Sequence, residues 1–462
     1  MKSFSEINVY TKEKLAHSSR YTEKEFSFLK IYQHALRFTL FGQQQKLIRN
    51  YFQFPYWFQV LIYWLKSQAS SPKRTHPKLK EYVIIDPGRA VLGDDKTWHS
   101  IYFDSLTHLI GRERLSIISV ANETSVPLDF MTSSLTGKLP SLDNTEKNLL
   151  REMNASVRKA AREKQFTSLE MNHIRSEMHL FFESFRQYYN LFKNQSIKHV
   201  IFVCHYQREG LIAAMKKLGI KNTEMQHGLI ASNDLYYVYD EQFSEVMGKA
   251  LISDRILVYG PYWKRVLENG CEFRSRDIYI GGDYLYRLKT LETKKPEKEN
   301  LILICTQTGM TEDYILYVKI FLGYLEKYPE WKIIIKLHPS QVDKTIYDEF
   351  IPHGVEIIDK QIPLDVLLSR AKIQITIYST TIYDALGFDV INFSLQDFGV
   401  MSDYAHDMIE EGAAIPLHSN EDPIEKYFKI KDAPTNQFQI LQREEVYAPY
   451  NPNIFKELLE LN

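Results

Sequence analysis

The sequence predicts an α/β protein made of two Rossmann-like, doubly wound parallel-sheet domains, preceded by a helical N-terminal extension. Three observations carry that prediction. Short apolar runs of strand length alternate with amphipathic helical stretches along residues 198–400. The runs are continuously apolar (VIFV, LILIC, KIIIKL), which marks strands buried on both faces, as in a parallel sheet covered by helices. A charged, proline-containing stretch at 289–300 (KTLETKKPEKEN) divides the series and reads as an interdomain linker.

Taken in order, residues 1–80 read as a helical extension rich in aromatics, with an apolar stretch at Pro55–Leu65 too short to span a bilayer. Residues 44–66 fit an aromatic amphipathic helix, followed by the basic segment Pro72–Lys80. That pair reads either as a helix packed on its own domain or as a peripheral membrane contact through residues 44–80. The first domain is expected over 81–288, with strands at 82–86, 115–120, 198–204, 222–226, 255–259 and 277–280. Between the first two strands lies a polar loop, PGRAVLGDDKTWHS. Residues 142–195 carry a helical pattern without proline, and 210–218 and 262–269 are shorter helices. The second domain is expected over 289–430, with strands at 301–305, 332–337, 355–358, 373–377 and 390–394. Its helices are expected at 311–328, at 363–371 and from near Thr381, and residues 431–462 form a tail expected to pack back on the first domain.

Hydrophobic residues make up 44% and charged residues 25% of the 462, which is the balance of an ordered globular chain. With 57 Lys and Arg against 58 Asp and Glu, nothing advertises a nucleic-acid partner. Three cysteines without a CxxC pair or a Cys/His cluster argue against a disulfide framework or structural zinc, and suit a reducing cytoplasm. The N-terminus MKSFSEINVYTKEK lacks the apolar core of a secretory signal, so a cytoplasmic location is expected.

In an open parallel sheet, ligands bind beyond the carboxyl ends of the strands. In the second domain those ends carry Thr306 and Gln307, then Lys336, His338 and Pro339, then Ser379, Thr380 and Thr381. Hydroxyls where a strand gives way to a helix, with backbone N–H groups, suit a phosphate, and His338 can donate to a phosphate oxygen. Thr380 or Thr381 is equally a plain helix N-cap. In the first domain, His227 ends a strand before Gly228, which is expected to turn the backbone sharply and leave the imidazole exposed as a general base. Glu209 is the alternative base or the partner of His227, and His205, Arg208, Gln226 and Gly228 are expected near acceptor or phosphate. Asp94 and Asp95, with His99, form a third candidate, readable also as a solvated turn. The phosphate-facing groups are cationic, hydroxyl or backbone N–H, and no DxD sits between apolar residues, so no metal and no cofactor is expected. A Walker lysine and a GxGxxG after a strand are both absent from the sequence.

The motifs MQHGLI (225–230), LVYGPYWKRVL (257–267), IYIGGDYLY (278–286), IKLHPS (335–340) and YSTTIYDAL (378–386) follow one another in order. Over about residues 195–400 the series resembles GT-B-fold transferases of bacterial surface and capsular polysaccharide assembly. It is nearest to the polysialyltransferase-like and CDP-glycerol glycerophosphotransferase-like groups. The resemblance implies an acceptor domain followed by a nucleotide-donor domain, with His338 and Ser379–Thr380 on the donor phosphate and His227 near the reaction centre. The activity implied is inverting, metal-independent transfer of a sugar from a nucleotide-activated donor, CMP-linked among the options, to a saccharide or lipid-linked acceptor. The inner face of the cytoplasmic membrane is where such an acceptor would be met. A CDP-polyol phosphotransferase, a nucleotide-sugar 2-epimerase and a non-catalytic nucleotide- or carbohydrate-binding subunit are the alternatives.

Overall fold

The structure, a computed structural model, describes residues 78–88, 98–119, 166–206, 208–244, 251–283, 297–307, 309–339, 345–359, 362–398, 402–431 and 441–461. It also describes positions 9, 30, 31, 33, 36, 90–92, 130–131, 151, 155, 341 and 343. The chain divides into two units: an N-terminal one (Ile7–Arg287 with Pro449–Asn462) and a C-terminal one (Leu288–Ala448).

The N-terminal unit is built on strands β1 (Tyr82–Asp86), β2 (Ala90–Leu92), β3 (Trp98–Ser100), β4 (Leu115–Ser119), β5 (Phe130–Met131), β6 (His199–Val203), β7 (Lys221–Met225), β8 (Arg255–Val258) and β9 (Ile278–Ile280). Seven of them form one sheet in the order β5-β4-β1-β6-β7-β8-β9, and all its pairings are parallel. Its helices are α1 (Asp104–Ile110), α2 (Ser168–Phe192), α3 (Glu209–Leu218) and α4 (Pro261–Glu268). Val83, Ile85, Ile118, Val200 and Phe202 pack beneath Leu191 and Phe192 of α2 and Leu211, Ile212 and Met215 of α3. The two helices meet at Gly210, where a Cβ would lie 2.6 Å from Phe181 O and Phe185 N, so only glycine permits this approach. Helix α2 starts at a capping box in which Thr167 and Glu170 satisfy each other's backbone N–H. The helical residues Ile31 and Leu36 join Phe166, Met171, Ile174 and Met178 in a separate apolar cluster. The rest of the expected extension, including Pro55–Leu65, and most of 142–165 lie outside the described residues. The stretch expected as a plain polar loop at 87–100 instead contributes β2 and β3, an antiparallel ribbon. Val91, Leu92 and Trp98 have the β-propensity for it, and the polar residues between them masked the signal.

The C-terminal unit carries β10 (Leu301–Cys305), β11 (Lys332–Lys336), β12 (Glu356–Ile358), β13 (Ile373–Thr376), β14 (Ile391–Leu395) and β15 (Ile415–Leu417), in the parallel order β12-β11-β10-β13-β14-β15. Its helices are α5 (Thr311–Leu325), α6 (Leu364–Arg370), α7 (Thr381–Asp384), α8 (His406–Glu410), α9 (Pro423–Lys431) and α10 (Arg443–Val446). Strand residues alternate between two covered layers, which is why the strands are apolar throughout. Ile302, Ile304, Ile333, Ile335, Ile373 and Ile375 meet Tyr314, Val318 and Phe321 of α5. Leu301, Leu303, Cys305 and Ile334 meet Leu367 and Leu368 of α6. Of the expected tail, α10 belongs to this unit, with Tyr447 Oη donating to Asp384 Oδ1 at 2.8 Å. The last helix, α11 (Pro452–Leu459), belongs to the N-terminal unit, where Leu459 O accepts from Tyr82 Oη at 3.0 Å.

Candidate functional site

Each sheet has a switch point, where successive strands leave the first strand in opposite directions and a crevice opens at the carboxyl edge. In the C-terminal unit it lies between β10 and β13, since β11 and β12 run to one side and β13 to β15 to the other. The segments leaving β10, β11 and β13 are tied together by side chains. Thr306 Oγ1 donates to Lys336 O (3.3 Å) and accepts from His338 N (3.1 Å), which joins the ends of β10 and β11. Gln307 Oε1 accepts from Tyr378 N (3.0 Å) and from Tyr314 Oη (3.2 Å), which joins β10 to β13 across the crevice. Tyr314, on α5 and fully buried, also accepts from Ile377 N (3.2 Å) and bonds Thr376 Oγ1 (3.0 Å).

This division of labour corrects part of the expected donor site. Thr306 and Gln307 are buried brackets that set the shape of the edge. The ammonium of Lys336 donates to the carbonyls of Asp359 and Ile362, which ties it to the β12 side of the edge. His338, Ser379, Thr380 and Thr381 are half-exposed and Pro339 is exposed, all at the same edge. Ser379 Oγ accepts from Thr381 N (3.3 Å), and Thr381 Oγ1 accepts from Gln374 Nε2 (2.6 Å). Helix α7 is only four residues long, so aligned peptide dipoles add little there, and hydroxyl and imidazole donors remain.

In the N-terminal unit the switch point lies between β1 and β6. Asp86 ends β1, is buried, and accepts from Gly88 N at 2.8 Å. Burial pushes its carboxyl above the usual range, with Gly88 N–H, Ser100 and Arg208 opposing. Across the crevice, Cys204 follows β6 with φ +61°, a left-handed conformation rare for a residue with a side chain. It turns the chain so that successive residues part ways: His205 goes into the core while Tyr206 stays half-exposed.

His205 corrects another expectation. It is fully buried at the centre of a charged cluster and cannot reach a substrate. Its Nδ1 lies 2.6 Å from Glu224 Oε2, and its Nε2 lies 2.7 Å from Tyr236 O and 3.2 Å from Glu272 Oε1. Lys30 Nζ donates to Glu272 Oε1 and Tyr236 O, both at 2.8 Å, and Tyr237 Oη donates to Glu224 Oε1 at 2.7 Å. Burial opposes charge on every member; on His205 the carboxylates of Glu224 and Glu272 win and raise its pKa, and on Glu224 the imidazolium wins and lowers it. On Lys30 and Glu272 burial wins, lowering the one and raising the other, and the two basic and two acidic groups satisfy one another inside the unit.

His227 follows β7 and is half-exposed. Its Nε2 lies 2.8 Å from Tyr206 Oη, and its carbonyl accepts from Tyr102 Oη at 3.2 Å. Tyr206 stacks on Tyr236 (ring centroids 4.5 Å apart, planes at 28°) and meets His227 edge-on. Burial, Cys204, Asp234 and Tyr236 hold the Tyr206 phenol well above its ordinary pKa, so it keeps its proton. The turn at Gly228 does not use positive φ. Gln226 makes it instead: its Nε2 donates to Gly228 O (2.7 Å), and its Oε1 accepts from Tyr259 N (3.0 Å). Gln226 is therefore a buried brace for the loop rather than a substrate contact. Arg208 Nε donates to Val203 O at 3.0 Å, and Glu209 is buried at the start of α3. His99 pairs with Asp104 (2.9 Å), while Asp94 and Asp95 lie outside the described residues.

No family model and no curated protein sequence matches the chain. Among solved structures it is similar to a putative UDP-N-acetylglucosamine 2-epimerase from Listeria monocytogenes, with 13% identity and a TM-score of 0.50 over 82% of this chain and 97% of that one. The architecture is GT-B. The S. aureus MnaA–UDP structure aligns at 13% identity and TM-score 0.48, over 83% of this chain and 98% of that one. The spinosyn rhamnosyltransferase SpnG aligns at 11% and 0.46, over 82% of this chain and 100% of that one. At such identities the likeness is one of fold alone. Among the described residues no group of three or more His, Cys, Asp or Glu is set to hold a metal ion, and no helix is long and apolar enough to cross a membrane.

Sequence reasoning missed Asp86, Tyr206, Glu224 and Tyr314. Tyr206 and Asp86 stood at strand ends already singled out, and position alone would have found them. Glu224 and Tyr314 carried no local signal, because a buried carboxylate in a strand and a tyrosine on a helix acquire meaning only from partners distant in sequence.

Proposed function

We propose that this protein is an inverting, metal-independent glycosyltransferase that moves a sugar from a nucleotide-activated donor to a saccharide or lipid-linked acceptor. The observation that carries this reading is the set of half-exposed donors, His338, Ser379 and Thr380, held at the switch point of the C-terminal unit by Thr306, Gln307 and Tyr314. Hydroxyl and imidazole donors fixed at the carboxyl edge of a parallel sheet suit the phosphate of a nucleotide, whose leaving charge they stabilise without a divalent ion. In this reading His227 takes the proton from the acceptor hydroxyl as that oxygen attacks the anomeric carbon and the nucleotide departs. The motif resemblance adds bacterial surface polysaccharide as the setting and the inner face of the cytoplasmic membrane as the place.

The test is incubation of the protein with UDP-, GDP- and CMP-linked sugars and with CDP-glycerol, with and without saccharide acceptors, following the nucleotide released. Acceptor-dependent release with a glycosylated product is expected. Interconversion of a sugar nucleotide without acceptor, or release of CMP from CDP-glycerol alone among the donors, would overturn the reading. His227→Ala is expected to abolish turnover while nucleotide affinity stays within about twofold. His338→Ala and Ser379→Ala weaken nucleotide binding first, by about 1–3 kcal/mol for a lost hydrogen bond to a charged group.

A further inference from the structure

We infer that Tyr206 is the positioning residue of His227, fixing the imidazole through its phenol and carrying part of the positive charge when His227 is protonated. The inference rests on the reading of His227 as the base and extends it to a residue that the motifs do not single out.

The geometry makes Tyr206 the partner through which His227 is controlled. The phenol oxygen is 2.8 Å from Nε2, while Nδ1 is buried on the opposite side of the ring. Nε2 is therefore the nitrogen whose proton matters, and Tyr206 is already in contact with it. The phenol is itself immobilised. Its ring stacks on Tyr236 and meets Tyr237 edge-on at 6.0 Å, and Tyr237 is anchored to the buried Glu224. The chain enters the position through the left-handed Cys204, while the neighbouring His205 is locked to Glu224 and Glu272. Behind Tyr206 thus stands a neutralised ionic cluster that holds the turn rigid. Tyr102 steadies the other end of His227 at its carbonyl. The titratable groups facing the pair include Cys204, which also hydrogen-bonds the phenol, Asp234, Tyr236 and Tyr237 beside Tyr206, and Tyr102 beside His227.

A phenol that keeps its proton serves both states of its partner. Before the acceptor binds, it donates to Nε2 of the neutral imidazole; the acceptor hydroxyl displaces it from that lone pair, and once the proton has moved to Nε2 and the acceptor oxygen to the anomeric carbon, the phenol accepts from the Nε2–H of the imidazolium. The second bond is charge-assisted and the stronger of the two. Tyr206→Phe keeps the stack on Tyr236 and deletes only the oxygen. The imidazolium then loses more than the neutral ring, so the pKa of His227 falls.

The deciding experiment titrates His227 by NMR in protein labelled at its histidines, with the signal assigned by its loss in His227→Gln, in wild type and in Tyr206→Phe. The expected result is a pKa lower by at least about 0.5 in Tyr206→Phe. The acid limb of the pH–rate profile shifts down with it, and kcat falls about 10- to 100-fold at unchanged nucleotide Kd. Identical titration in the two proteins overturns the inference. Because the titration needs no turnover, the inference is decided even if every donor proves inert, an outcome that would sink the proposed activity alone. Tyr206→Trp, which keeps an aromatic ring but no phenol, repeats the test should the phenylalanine variant unfold.

Discussion

Removing one oxygen atom, in Tyr314→Phe, tests whether the switch-point edge of the C-terminal unit is held by buried hydrogen bonds. Thr376 Oγ1 donates its own proton to Cys305 O at 2.8 Å, so the Tyr314 proton goes to Gln307 Oε1 or Thr376 Oγ1, and Ile377 N donates to Tyr314. In the phenylalanine variant the ring packing with α5 and the sheet survives. Gln307 Oε1 keeps Tyr378 N, but Ile377 N–H is left without its acceptor in a dry core. An orphaned buried donor costs about 1–3 kcal/mol, and the bond donated by Tyr314 adds about 1, less the small gain from burying a less polar ring. We expect a net loss of about 2 kcal/mol. Since two units need not unfold together, a single global midpoint is the wrong observable. Hydrogen exchange of peptides covering β10 and β13 reads the unit directly, and 2 kcal/mol corresponds to roughly 30-fold faster exchange from cooperative opening. Because Tyr378 and Ser379 follow the freed segment, nucleotide affinity falls as well. Exchange within about twofold of wild type would show that the hydroxyl network is incidental and refute the argument that Thr306, Gln307 and Tyr314 shape the site.

Lys30→Met should destabilise the N-terminal unit by about 1–3 kcal/mol in urea unfolding, because Glu272 and Tyr236 O lose their ammonium donor while His205 stays 3.2 Å from Glu272. Pairing it with Glu272→Leu should restore part of the loss, and a change under about 1 kcal/mol in the single variant would mean that the cluster does not carry the charges assigned to it. Acidification gives another test. His199, against Thr223 at 2.8 Å, is held neutral to about pH 3 by burial, Arg255 and Lys221, and burial holds His173 down to about 4. Both folded pKa values lie below the unfolded value near 6.5, so the stability tied to the neutral rings is complete above that pH and lost as pH falls towards 4 and 3. Glu177, pushed up to about 7 by burial and Glu209, acts with the opposite sign between pH 7 and 4.5, as do the raised carboxyls of Asp86, Asp254 and Glu272 in acid. The histidine contribution should therefore fall away below pH 6.5, and the stability of His199→Gln should lose less than that of wild type over the same fall in pH; equal pH slopes in the two proteins would contradict the assignment.

Five of the six strands of the C-terminal sheet were legible; the edge strand β15 (Ile415–Leu417), three residues long with a proline at its centre, was not. LILIC, KIIIKL and KIQIT are apolar because both faces of each strand are covered, and composition records that directly. The positions of His227, His338 and Ser379 at strand ends followed from the same reading. Their surroundings did not. Lys336 looked like a phosphate ligand because a lysine at a strand end is chemically suited to one, yet the chain returning past β12 offers it two carbonyls. His205 looked as accessible as His227, since a residue of either exposure fits after an apolar run, and only the backbone at Cys204 separates His205 in the core from Tyr206 at the surface.

What the sequence determined by itself was the alternation of strand and helix, hence two parallel sheets, and the places where those strands stop. These are local properties, written in runs of five to fifteen residues. Which polar group faces a ligand and which spends itself inside was decided only by the tertiary structure. That choice depends on partners such as Glu224, Glu272 and Lys30, brought to His205 from as far as 175 residues away, and a hydrogen bond between distant residues leaves no trace in the local pattern of either.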